Sequence, residues 1–189
     1  MLLSLASLWL PIVVSAVATF VAGFVLWVVL PHHKSDWSPL PDEDAAMQAV
    51  GGSGLAPGMY LMPHPGQAKN PQEDPEWVAK VEGGTPAYIM VLPKAQMLNM
   101  GPTLGKNFLY LLLMGVLVAY VGAVTLPVGT DYLKVFQVTG AVALLGHSMG
   151  AFPKAIFWGW SRSAATKDFL DGVVYALVTA GVFGWLWPS

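Results

Sequence analysis

The chain has 189 residues, of which 55% are hydrophobic and only 11% charged, whereas an average soluble domain carries about 25% charged residues. This composition argues against a soluble protein. Nine Lys and Arg against eleven Asp and Glu give a formal charge of −2, so there is no basic excess for binding nucleic acid. The chain contains no cysteine, which excludes disulfides, thiolate metal sites and a cysteine nucleophile.

Four stretches are apolar enough to cross the hydrocarbon core, which takes about 20 helical residues. The first, residues 1–30, has no charged side chain. We predict a retained anchor there, because a signal peptide would have a basic start and a small-residue cleavage site. The other predicted spans are 106–127, 132–152 and 168–187, the third of them ending before Pro153. The sequence therefore predicts an all-α membrane protein with four transmembrane helices.

The distribution of tryptophan and basic residues agrees with this topology and predicts its orientation. Six of the eight tryptophans lie near predicted span ends, as in an interfacial aromatic belt. Lys34 follows the first span, and Lys154, Arg162 and Lys167 lie in or next to the loop 153–167, whereas only Lys134 lies between the second and third spans. Because basic residues favour the cytoplasmic side, we expect both termini outside the cytoplasm.

Residues 31–105 form a polar insertion between the first two spans, with twelve of the twenty charges. The pattern predicts a short helix that begins near Asp42 and two short strands, Gly58–Met62 and 87–92, that pair as an antiparallel ribbon. Such a small mixed insertion buries little apolar area. We expect it to rest on its own transmembrane helices, on lipid headgroups or on a partner protein.

Residues 146–150 read Gly-His-Ser-Met-Gly and match the nucleophile elbow of α/β-hydrolases. A serine hydrolase also needs an acid and then a His after Ser148, but no His follows it. The same residues form a G-x-x-x-G pattern, which lets membrane helices approach closely. We therefore interpret Gly146 and Gly150 as helix-packing positions, predict no catalytic residue, and do not expect an enzyme.

His147 lies near the end of the third predicted span, and Asp171 lies one helical turn into the fourth. Such groups need partners in a membrane. A His bonded to a neighbouring helix, and an acid favoured by the helix dipole, would explain both without a function. The alternative is a functional polar cluster on the cytoplasmic side, formed by His147, Asp171, Lys154 and Arg162, which relays protons or binds substrate.

His32, His33 and His64 are the candidates for metal binding, with Asp36 or an acid of residues 42–44 completing the ligand set. Their spacing matches no metal-binding signature. Adjacent histidines also do not easily bind one ion from a regular backbone. The sequence therefore predicts no metal and no other cofactor.

Several segments carry a resemblance to a known family. They are residues 31–37 (PHHKSDW) continuing to 40–43 (LPDE), 171–177 (DGVVYAL) and 179–188 (TAGVFGWLWP), with weaker anchors at 100–102 and 132–136. On these residues the chain resembles a family of uncharacterised bacterial integral membrane proteins. The resemblance implies a bacterial cytoplasmic membrane, and it implies no activity, cofactor or catalytic residue.

Three function classes fit these observations. The leading one is a non-enzymatic accessory or structural subunit that associates with other membrane-protein subunits or with itself, using residues 31–105 as its contact surface. The alternative is a small oligomeric transporter or channel that uses the polar cluster around His147 and Asp171. The third is a membrane-embedded serine hydrolase that uses Ser148.

Overall fold

The computed structural model describes residues 3–189, so the first two residues of the predicted span 1–30 lie outside it. The chain divides into a helical unit, Met1–Ser38 with Gly101–Ser189, and an insertion unit, Pro39–Met100. In chain order the helices are α1 (Trp9–Phe24), α2 (Glu43–Gly52), α3 (Pro75–Gly83), α4 (Lys94–Leu98), α5 (Gly101–Thr125), α6 (Tyr132–Ser148), α7 (Ala151–Phe157) and α8 (Arg162–Trp185). The strands are β1 (Gly58–Met62) and β2 (Ala87–Val91).

Four helical segments of the described chain are long and apolar enough to cross a membrane: Leu5–Val29, Gly101–Thr125, Tyr132–Phe157 and Arg162–Trp185. In the first of them, a 3-10 turn precedes α1 and a π-helical turn follows it. Between 22% and 33% of the most apolar stretch of each span is buried within the protein, so most of the apolar surface is suited to lipid. The predicted all-α fold with four transmembrane helices is confirmed, and the protein is a multi-pass membrane protein.

The third helical span continues past its predicted end at residue 152, and the fourth begins before its predicted start at residue 168. The helix α6 ends at Ser148, and α7 then contains Pro153 in its first turn. A proline is tolerated there because its missing N–H would have no partner within the helix. The helix α8 begins at Arg162, where the Ser161 hydroxyl caps it by accepting a hydrogen bond from the Ala164 N–H at 3.0 Å.

The core of the helical unit lies where its spans approach one another over small residues. A Cβ atom at Gly172 of α8 would lie 2.5 Å from Ser148 Oγ and 2.6 Å from the His147 carbonyl oxygen, both in α6. A Cβ atom at Gly115 of α5 would lie 3.2 Å from the Ile12 carbonyl oxygen in α1. Glycine at these positions therefore sets the distance between helices. The most completely buried apolar side chains are Leu8, Val118, Ala119, Val135, Ala143, Ala180 and Phe183.

Buried hydroxyl groups in the bundle are mostly satisfied by nearby acceptors. The Thr19 and Thr179 hydroxyls lie 3.3 Å apart and link α1 to α8. The Thr139 hydroxyl donates to the Val135 carbonyl at 2.7 Å within α6. These bonds matter because a buried polar group without a partner costs free energy in an apolar medium.

The insertion unit is a two-stranded ribbon with three short helices. Its strands pair antiparallel, with Gly58 opposite Val91 and Met62 opposite Ala87, which confirms the predicted small mixed insertion. The Asp42 carboxylate caps α2 by accepting from the Ala45 N–H at 2.9 Å. No residue of Pro39–Met100 is buried, so the unit has no hydrophobic core of its own.

The contact between α6 and α8 gives a stability prediction. We expect Gly172→Ala to destabilise the protein by about 1–3 kcal/mol, because the added methyl overlaps backbone and Ser148 atoms of α6. Gly181→Ala in the same helix is the matched control, since its Cβ would lie 3.7 Å from its nearest neighbour, Tyr132 Oη. Thermal unfolding in detergent should give a lower Tm for Gly172→Ala only, and equal Tm values would contradict this packing.

Candidate functional site at the start of the fourth span

A short 3-10 turn after the first span forms one half of the site. The first span ends at Val29, and the turn His32–Asp36 follows Pro31. In a 3-10 turn, residues three apart lie on the same side, which places the Asp36 carboxylate beside the His33 ring. His33 Nδ1 lies 2.6 Å from Asp36 Oδ2, and His33 itself is buried.

Asp171 of α8 forms the other half of the site. Its side chain is only 5% exposed, and its two oxygens face the two histidines. His33 Nε2 lies 2.8 Å from Asp171 Oδ2, and His32 Nε2 lies 3.3 Å from Asp171 Oδ1. The imidazole of His33 therefore lies between two carboxylates, and the segment that follows the first span is attached to the fourth.

Lys167 lies one helical turn before Asp171 and adds an ammonium group to the site. Its ammonium group donates to the His32 carbonyl at 2.7 Å, to Ser35 Oγ at 2.8 Å and to Asp36 Oδ1 at 2.7 Å. These three bonds use all three donors of the ammonium group. Lys167 thus holds the 3-10 turn by its backbone and its side chains at once.

The contacts shift two pKa values in opposite directions. Burial opposes protonation of His33, but its hydrogen bonds and attraction to Asp36 and Asp171 outweigh burial and raise the pKa of the imidazole above its ordinary value. The hydrogen bond from Lys167, followed by that from His33, lowers the pKa of Asp36 despite its desolvation. Both shifts favour the charged forms of the two groups.

Aromatic and aliphatic side chains surround the polar groups. The Trp27 ring stacks on the His33 ring with centroids 3.8 Å apart and planes 7° apart, and the His32 ring centroid lies 4.2 Å from that of His33. A groove of about 390 Å³ borders the site. Its lining consists of Leu26, Leu30, Pro31, His32, Lys167, Leu170, Asp171 and Val174.

The predicted polar cluster of His147, Asp171, Lys154 and Arg162 is not assembled in the described chain, because no hydrogen bond or ion pair joins these four residues to one another. Asp171 contacts His32 and His33 instead. Lys154 binds Asp168 at 2.7 Å. The His147 ring packs edge-on against Tyr175 with centroids 5.7 Å apart, and Arg162 is the first residue of α8.

The three metal-ligand candidates are divided between the two units. His64 belongs to the insertion unit, where its Nδ1 accepts from the Gly66 N–H at 3.0 Å. His32 and His33 converge on Asp171, and one donor atom from each of these three residues lies within 4.8 Å of the others. The two adjacent rings reach one carboxylate because the 3-10 turn, which differs from a regular helix or strand, directs both of them to α8.

The segment Gly146–Gly150 separates into positions with different surroundings. A Cβ atom at Gly146 would meet the Met114 side chain of α5, as expected of a helix-packing position. The predicted packing role is wrong for Gly150, because Gly150 follows α6 and a Cβ atom there would have open space. Ser148 is 0% exposed, and its hydroxyl has no hydrogen-bond partner in the described chain. Close contact with Gly172 accounts for this burial and leaves the hydroxyl enclosed between α6 and α8.

Sequence reasoning identified Asp36, Lys167 and Asp171 without joining them into one network. Lys167 was used to predict the orientation of the chain, and its contacts with the 3-10 turn were not predicted. The sequence signal for the site was the polar segment 31–37 placed directly after an uncharged span.

No protein-family model, curated protein or solved structure matches the chain.

The buried pairing of Asp171 gives the second prediction. Asp171→Asn removes the charge that faces two histidines, and we expect a loss of about 3–5 kcal/mol, the cost of breaking a buried ion pair. Asp168→Asn, one turn earlier, removes a pair whose members are 26% and 42% exposed, so it should cost about 1 kcal/mol or less. Tm values in detergent compare the two variants, and an equally small effect of both would contradict a buried network.

Proposed function

We propose that the protein is a non-enzymatic accessory or structural subunit of a membrane complex, and that its insertion unit contacts another protein subunit. The observation that carries this proposal is that none of the residues of Pro39–Met100 is buried. A unit of this size without a core is not expected to be stable by itself. It gains the missing burial by packing against a partner.

The ribbon of the insertion unit presents an apolar face suited to such contact. Met59 pairs with Met90 across the strands, and Leu61 pairs with Tyr88. Because side chains alternate along a strand, these four lie on the same face. Met59 is 68% and Met90 is 56% exposed. Flexible methionine side chains in an exposed apolar patch are typical of protein-binding surfaces.

The charge of the insertion unit favours a protein partner over the lipid surface. Three Lys against seven Asp and Glu give residues 39–100 a formal charge of 3 − 7 = −4. The cytoplasmic leaflet is itself negative and attracts basic segments rather than acidic ones. An apolar face within an acidic unit therefore fits a partner surface with an apolar centre and basic rim.

The helical unit gives less support to the transporter and hydrolase alternatives. Asp171 is buried and contacts two histidines, as expected of a structural group. Ser148 is enclosed between α6 and α8 without a hydrogen-bond partner, whereas a nucleophilic serine needs an adjacent base and access for substrate.

The proposal includes an orientation in the bacterial cytoplasmic membrane. The basic residues Lys34, Lys154, Arg162 and Lys167 support a cytoplasmic location for the insertion unit and for the connection between the third and fourth spans, with both termini outside the cytoplasm. The resemblance of segments 31–43 and 171–188 to bacterial integral membrane proteins supports the choice of membrane. A partner would therefore present its binding surface at the cytoplasmic face.

Photocrosslinking tests this proposal. A benzophenone amino acid placed at position 59 or 90 should crosslink to a distinct protein in native membranes, and the same probe at position 47 should not. Met47 is the matched control because it is equally exposed, at 67%, but lies on α2. Met59→Glu with Met90→Glu should reduce the size of the assembly on native gels, whereas Met47→Glu should leave it unchanged.

Three outcomes of this experiment would contradict the proposal. Crosslinks to lipid alone, with a monomer on native gels, would assign the ribbon to the membrane surface. Crosslinks only to a second copy of the chain would show that the protein forms a homo-oligomer and is not an accessory subunit of another complex. A crosslinked partner whose association survives both Glu substitutions would show that another surface carries the contact.

The enclosed position of Ser148 gives a further prediction. A fluorophosphonate probe, which reacts with activated serine nucleophiles, should leave the folded protein in lipid nanodiscs unlabelled because it cannot reach the hydroxyl. The Ser148→Ala variant provides the background signal. Labelling of the natural protein above that background would contradict the non-enzymatic assignment.

A further inference from the structure

Because the His33 ring lies between two carboxylates, a proton or a metal ion is needed between each ring nitrogen and the carboxylate oxygen that faces it. Its Nδ1 lies 2.6 Å from Asp36 Oδ2 and its Nε2 lies 2.8 Å from Asp171 Oδ2. A neutral imidazole has one N–H, so it can donate to only one of these carboxylates. The other nitrogen then faces an oxygen lone pair unless a proton or a metal ion lies between them.

The second histidine distinguishes this arrangement from a simple ion pair. His32 Nε2 approaches the other oxygen of Asp171 at 3.3 Å, so two imidazoles approach one carboxylate, each at a different oxygen. Ligand atoms bonded tetrahedrally to Zn²⁺ at about 2.1 Å lie about 3.4 Å from one another. One ligand atom from each of His32, His33 and Asp171 lies within 4.8 Å of the others, so the three groups need to draw closer together to surround one ion.

The surroundings of His33 have the features of a metal-binding histidine. Histidine ligands of metals generally donate their second ring N–H to a carboxylate, which fixes the ring and its tautomer. Asp36 provides that carboxylate, and Lys167 holds it in place at 2.7 Å. The stacked Trp27 ring, 3.8 Å away, restricts the imidazole further. Little rearrangement is then needed for His33 to present Nε2 to an ion.

We infer that His32, His33 and Asp171 bind a divalent transition-metal ion, with Zn²⁺ as the representative of its class, and that Asp36 acts as a positioning residue. Two neutral imidazoles and one carboxylate match the nitrogen and oxygen ligands that Zn²⁺ accepts, and leave a fourth position open. The adjoining groove of about 390 Å³ lies beside His32 and Asp171. The side chain of His32 is 31% exposed, which gives an ion a route of entry.

Titration calorimetry with the full-length protein in nanodiscs tests this inference. The protein is purified without a polyhistidine tag and stripped with a chelator, and ZnSO₄ is then added. We expect saturable binding of one Zn²⁺ per chain and a rise in Tm on binding. His32→Ala should abolish or strongly weaken binding, and Asp36→Asn should weaken it by about 10–100-fold. His64→Ala is the matched control and should bind as the natural protein does.

The variants keep the inference falsifiable even if some of them fold poorly. His32 is partly exposed and makes the longer contact with Asp171, so its loss should disturb the fold least. Unchanged Zn²⁺ affinity in folded His32→Ala, absence of saturable binding in the natural protein, or loss of binding in His64→Ala would each overturn the site. None of these results depends on whether the insertion unit binds a partner protein.

Discussion

The structure of the helical unit depends on how one buried carboxylate is neutralised. Asp171 lies in α8 with only 5% of its side chain exposed. An unpaired charge at such a buried position would cost several kcal/mol, and a cost of this size makes a carboxyl group take up a proton instead. His33 and His32 supply the compensating contacts from a segment 138 and 139 residues earlier in the chain. The first and fourth spans are thereby joined at one end by charge, in addition to the apolar contacts and the Thr19–Thr179 contact along their length.

The same network explains the shape of the segment that leaves the first span. Lys167 uses all three of its donors on the turn His32–Asp36, and Trp27 covers the His33 ring. A turn held by Lys167, Trp27 and Asp171 keeps its side chains in one arrangement, as ligand sites require. This arrangement stabilises the bundle and presents two histidine nitrogens to one carboxylate, so structural and metal-binding roles can share the same atoms.

How much of the structure can be predicted from the sequence depends on how far apart in the chain the interacting residues lie. The four spans follow from local composition, and the ribbon follows from two short apolar runs separated by turn residues, so both were predicted. Pro153 was misread as an end because its position in the first turn of α7 depends on where α6 stops. The His–Asp cluster was missed because it joins residues far apart in the chain through a 3-10 turn, which adjacent histidines alone do not indicate. The contact of Lys167 with this turn was missed for the same reason, because Lys167 lies 131 residues after Asp36 in the chain.

A double-mutant cycle between His33 and Asp171 tests the central interaction most directly. The free energy of unfolding is measured in one detergent for the natural protein, His33→Ala, Asp171→Asn and the double variant. Direct pairing predicts a coupling energy of about 1–3 kcal/mol, because either single change already removes the contact. Changes that add within about 0.5 kcal/mol would show that the two side chains act independently, and would contradict the view that this pair joins the first span to the fourth.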